Sequence, residues 1–76
     1  MTFVVLAEEG DPHPSEVWRG SVEVPDEELG TFKGMGHYKA ELEVCKRMRA
    51  RYSDIDSRFP KASFRVEFPR GFFPRA

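Results

Sequence analysis

His37-Tyr38-Lys39-Ala40-Glu41-Leu42-Glu43-Val44-Cys45-Lys46-Arg47-Met48-Arg49-Ala50-Arg51-Tyr52 is the one long stretch of this chain with helical periodicity, and its place between short β-type runs decides the fold class. At about 100° per residue, Tyr38, Leu42, Val44, Cys45, Met48 and Tyr52 share an apolar stripe roughly 160° wide. Lys39, Glu43, Lys46 and Arg47 lie opposite, with Glu43 set for an i,i+4 pair with Arg47. Arg47, Arg49 and Arg51 gather at the C-terminal end, where the helix dipole favours cations. Arg49 falls at the rim of the stripe, so its stem is expected on the sheet and its head in water.

Working outward, two strands precede this helix. Residues 2–7 (Thr-Phe-Val-Val-Leu-Ala) are β-branched, aromatic and continuously apolar, as in a central strand, and a turn-rich run follows. Residues 16–24 alternate: Trp18, Gly20, Val22 and Val24 on one face, Val17, Arg19, Ser21 and Glu23 on the other. Gly20 in the core-facing row marks a bulge or a close approach. Pro25-Asp26-Glu27-Glu28-Leu29-Gly30 reads as one helical turn, with proline first, acids over the dipole and glycine at the exit. Thr31-Phe32-Lys33 reads as briefly extended. After the helix, residues 53–61 form a connection with room for one helical turn. Residues 63–68 then alternate cleanly, Phe64, Val66 and Phe68 against Arg65 and Glu67, with a tail at 69–76.

The sum is one α+β domain spanning 1–76. It is a two-layer β-β-α-β fold: a three-stranded, mainly antiparallel sheet with one helix packed on one face. Phe3, Val5, Trp18, Val22, Leu42, Cys45, Met48, Phe64, Val66 and Phe68 are the expected core. The other face keeps Val4, Leu6, Val17, Arg19, Glu23, Arg65 and Glu67, and is half apolar. Phe72 and Phe73 of the tail are the candidates to fold back over it.

The charges are sorted by position. Residues 1–30 carry eight acidic side chains against one base, and residues 31–76 eleven bases against five acids, so net −7 and net +6 combine to the chain's −1. Such asymmetry concerns partners more than fold. One candidate contact surface is acidic: Glu8, Glu9, Asp11, Asp26, Glu27 and Glu28 in two loops, suited to an arginine-rich partner. The other is basic and aromatic: Lys46, Arg47, Arg51, Arg70, Phe72, Phe73 and Arg75. Its tail belongs to a tripeptide repeated as Phe59-Pro60-Lys61, Phe68-Pro69-Arg70 and Phe73-Pro74-Arg75, an aromatic anchor beside a cation.

The reactive inventory is thin. Cys45 sits mid-stripe, where a buried thiol behaves as a small hydrophobe. His13, Cys45 and His37 do not stand at zinc-ligand spacing, and no metal or cofactor is expected. Residues 30–36 hold three glycines before the helix but match neither phosphate-binding pattern. A single cysteine excludes an internal disulfide framework, and no apolar run approaches the ~20 residues of a membrane span. The expected setting is cytoplasmic, with no membrane contact.

These observations lead to a non-enzymatic protein-binding module. It would be an inhibitor or adaptor of the kind carried by phages and mobile elements, occupying a surface of a larger protein or protein–nucleic acid complex, for instance one that handles nucleic acids in defence. The opposed halves also permit a homodimer. The alternative is a small nucleic-acid-binding protein using the basic helix and tail. Against it stands a pI of 6.1, where a dedicated nucleic-acid domain has one above about 9.

Overall fold

The computed structural model describes residues 1–74. β1 (Thr2–Glu9) and β2 (Ser15–Glu23) form a hairpin, and β3 (Ser63–Glu67) returns to the other side of β1. The order is β2-β1-β3, antiparallel throughout. β1 is central because it is apolar on both faces: Phe3, Val5 and Ala7 are buried under the helices and Leu6 on the opposite face. The hairpin register pairs Ala7 with Trp18 and then Glu8 with Glu16, leaving Val17 as the extra residue of a bulge.

Gly20 is the close approach, and the bulge lies elsewhere. The Trp18 indole folds over Gly20, so an added Cβ would stand 2.2 Å from its ring carbon Cη2. The indole also meets Tyr52 edge-on, with centroids 4.9 Å apart.

Between β2 and the long helix, the expected single turn is instead a 3-10 turn at Asp26–Glu28 running directly into α1 (Leu29–Met35). Thr31-Phe32-Lys33 is therefore helical and not extended, and Gly30 and Gly34 lie inside a helix. Two helical glycines cost about 1 kcal/mol each, and burial of Phe32, which is 1% exposed, offsets this with roughly 1.5–3 kcal/mol. Gly36, at φ 82°, makes the break between α1 and α2 (His37–Arg51) in a conformation that favours glycine. The connection to β3 does hold one short helix, α3 (Ile55–Arg58), whose Ile55 is fully buried.

α1 changes which side of α2 faces inward. The buried residues of α2 are Ala40, Val44, Cys45 and Met48, while Tyr38 and Leu42 are exposed. The buried arc has rotated toward Ala40 because α1 packs on that flank, so Leu42 leaves the expected core. Trp18, Phe64 and Phe68 pack on the core half-buried, whereas Val24, Phe32, Val44, Ile55 and Phe72 join it. The fold is α+β, and among the described residues the sheet carries three helices and not one.

The tail corrects a second expectation. Phe72 does not cover the open sheet face; it enters the core on the helix side, edge-on to Phe3 at 5.4 Å and stacked on Phe68 at 5.6 Å. On the open face Leu6 is 3% exposed, flanked by Arg19 on β2 and Arg65 on β3. Both arginines are held by acids: Arg19 by Glu16 at 2.8 Å and Glu67 at 3.7 Å, Arg65 by Glu8 at 3.0 Å. The register sets these two arginines directly beside Leu6 on the neighbouring strands.

Gly20→Ala is expected to push the indole out of its seat and destabilise the fold by about 1–3 kcal/mol. Trp18 is the sole tryptophan, so its fluorescence should shift to the red in the folded variant. Unchanged emission and an unchanged urea midpoint would contradict this packing.

Candidate protein-binding surfaces

The six acids expected to form one surface are divided by the fold. Glu8 is held by Arg65. Glu28 accepts from both terminal nitrogens of Arg47, at 2.6 and 3.3 Å. That fork holds the Glu28 carboxyl below the usual glutamate range, and Glu28 in turn raises Arg47. Asp26 lies 3.5 Å from the Met1 amino group. Glu9, Asp11 and Glu27 take no ion pair among the described residues. The acidic patch therefore survives only in part.

The basic set is divided too. Arg47 makes the anticipated pair with Glu43 at 3.4 Å, but its fork goes to Glu28, and its guanidinium lies over Phe32 at 5.1 Å. It ties α2 to α1 and is not free for a partner. Lys46, Arg51 and Arg70 are exposed. Phe72 is buried and Phe73 half-buried, so the tail aromatics act inward. The same holds for Phe59 and Phe68 of the repeated tripeptide, which pack on the core while Lys61 and Arg70 stay in water. Arg75 lies outside the described residues.

Two residues of the expected apolar stripe, Leu42 of them also in the expected core, emerge as the most exposed large apolar side chains: Tyr38 at 72% and Leu42 at 54%. They lie within about 40° of each other around α2, with Arg49 between them. Arg49 stands over Phe64 of β3 at 5.1 Å and pairs with Asp56 at 2.9 Å, so this flank of α2 is the one above β3. Lys39 and Lys46 flank it on the outer side, exposed and without an ion pair among the described residues. The signal available in the sequence was the spacing Ala40–Val44–Met48, an equally good i,i+4 row whose members are all fully buried.

α2 also caps one residue on each outer edge of the sheet. Tyr52 Oη accepts from the Ser21 N–H at 3.3 Å and donates to the Ser21 carbonyl at 3.4 Å, on β2. Glu41 Oε2 accepts from the Val66 N–H at 2.9 Å, on β3. A cleft of about 440 Å³ opens beside the end of β3, with His37, Phe68 and Phe73 on its wall. The His37 ring lies against Phe68 at 5.3 Å and Phe73 at 5.5 Å.

The reactive side chains are scattered. Burial pushes the Cys45 thiol up, with the Glu41 charge adding to it. His13 lies in the exposed β1–β2 loop. Among the described residues no cluster of three His, Cys, Asp or Glu could hold a metal ion, and no helix is long and apolar enough to cross a membrane.

The Glu28–Arg47 pair sets a pH dependence. A carboxyl held below its ordinary value of 4.5 contributes stability above that pH and loses it as pH falls through the lowered value. Arg47→Met keeps the stem on Phe32 and removes the charge. The stability gap between wild type and Arg47→Met, from urea midpoints, should be widest at neutral pH and narrow in acid. A gap independent of pH would mean that the pair contributes nothing.

No protein-family model matches this chain, and neither a curated protein nor a solved structure shows significant similarity to it.

Proposed function

We propose that the protein is a non-enzymatic protein-binding module, an inhibitor or adaptor of the phage or mobile-element kind. It works by occupying a surface of a larger protein in the cytoplasm. The observation that carries this reading is the flank of α2 above β3, where Tyr38 and Leu42 stand exposed beside Lys39, Lys46 and Arg49. Aromatic and aliphatic anchors ringed by cations fit a partner surface that is apolar at its centre and acidic at its rim. The basic side of the molecule, and not the acidic loops, then makes the contact, because Glu8 and Glu28 are already engaged by Arg65 and Arg47.

Removal of a central interface anchor costs about 2 kcal/mol or more, a factor of about 30 in affinity. Tyr38→Ser with Leu42→Ser should therefore abolish retention of the partner captured from host extract by wild type. Charge reversal at Glu9, Asp11 and Glu27 should leave retention intact. The opposite pattern would move the contact to the acidic loops and refute the reading.

A second reading has one observation in its favour. Lys33, Lys39, Lys46, Arg51, Arg58, Lys61 and Arg70 take no ion pair among the described residues, against Glu9, Asp11, Glu27 and Asp54 on the acidic side. If this excess binds nucleic acid, gel shifts with single- and double-stranded DNA and RNA will appear at low salt. Affinity will then fall with log salt at a slope of about −0.9 per duplex phosphate contacted. Absence of any shift at low salt removes this reading.

A further inference from the structure

β3 is chemically the same in both directions: Phe64-Arg65-Val66-Glu67-Phe68 places an aromatic and a charge symmetrically about Val66, with the two charges opposite in sign. Two copies running antiparallel about Val66 would set Arg65 against the partner's Glu67 on one face and Phe64 against the partner's Phe68 on the other. Opposite charges and aromatic pairs facing across strands both stabilise a sheet.

The fold leaves this segment where such pairing is open. β3 has β1 on one side and, among the described residues, no strand on the other. The Val66 N–H points to that free edge, since it is the group that Glu41 accepts from. A two-fold axis at Val66 lets the two Val66 residues exchange both N–H···O=C bonds. Arg65 and Glu67 are half exposed on the open face, paired within the chain with Glu8 at 3.0 Å and Arg19 at 3.7 Å, so the partner's charges would extend these pairs across the seam. On the helix face, the cleft beside Val66 and Phe68 has room for the partner's Phe64. The same axis keeps both helical layers on one side of the joined sheet, which brings the Tyr38–Leu42 flank of each α2 to the seam.

We infer that β3 is a self-association edge. A second copy adds its own β3 antiparallel, centred on Val66, to make a continuous six-stranded sheet, and the Glu41 carboxylate is the removable cap that holds the edge donor in the monomer. This rests on reading the α2 flank as a protein-binding surface and names one occupant for it. An interface of one short strand and one helix flank is smaller than a standard stable interface, so the dimer is weak and reversible.

Sedimentation equilibrium at concentrations up to about 1 mM should show a monomer–dimer equilibrium for wild type. Glu41→Ala should tighten it about tenfold by freeing the Val66 donor for the partner. Arg65→Glu and Glu67→Arg, each alone, place like charges across the seam twice per dimer and should weaken it about tenfold or more. An equimolar mixture of those two variants restores opposite charges and should associate again. Circular dichroism confirms that each variant is folded, and wild type with Glu41→Ala still decides the matter if a charge variant is not. Wild type that stays monomeric through this range, or a dimer indifferent to both charge reversals, overturns the inference. If self-association fails while host-protein capture still depends on Tyr38 and Leu42, only the self-pairing falls. If capture is indifferent to them as well, both fall.

Discussion

The contacts between the two ends of α2 and the two edges of the sheet are the constraint on which the rest of the structure depends. Glu41 reaches the Val66 N–H near one end and Tyr52 brackets the Ser21 peptide at the other, so the helix is pinned across all three strands. These contacts hold α2 in the rotation that packing against α1 selects, with Ala40, Val44 and Met48 buried and Tyr38 and Leu42 exposed. The same two side chains satisfy backbone groups that an open edge would otherwise present to other chains. Polar contacts at the sheet edges and apolar packing against α1 thereby agree on one orientation of α2.

A chain of this size builds its core from few large side chains, and it does so here with an aromatic cluster. Phe3 lies at the centre, within 6.5 Å of Phe32, 5.2 Å of Phe68 and 5.4 Å of Phe72. These rings come from β1, α1, the residue just after β3 and the tail, so four separate segments of the chain meet at one point. Each tilted or edge-on pair adds about 0.5–1.5 kcal/mol beyond area burial. That gain explains why the tail is drawn inward and is not left as a free pair of prongs. The open face differs: there Arg19 and Arg65 stand beside Leu6 with their heads in ion pairs. Exposed pairs of this kind contribute little energy individually.

The ion pairs also rearrange the charge pattern. Along the chain the acids and bases are segregated; in space Glu8 meets Arg65, Glu28 meets Arg47 and Arg19 meets Glu67. Antiparallel pairing of β3 with β1, and packing of α2 on α1, bring the two halves face to face. The charge segregation along the chain is thus partly cancelled within the fold, and among the described residues seven cations against four acids are left without an ion pair.

Strand periodicity, the long helix and the central position of β1 were legible in the sequence, because alternation and continuous apolarity report burial directly. The Glu43–Arg47 pair and the buried Cys45 were legible for the same local reason. What only the tertiary structure decided is the second helix through Gly30 and Gly34, the rotation of α2, the destination of Phe72 and the partners of Glu28, Arg47 and Glu8. Propensity and periodicity describe a segment by itself, whereas these features depend on which neighbour stands beside it. Phe32 overrides two glycines because Phe3 is there to receive it, and Leu42 turns outward because α1 occupies the other flank. The sequence determined the strands and the long helix, and packing among them determined α1 and which side chains stayed exposed.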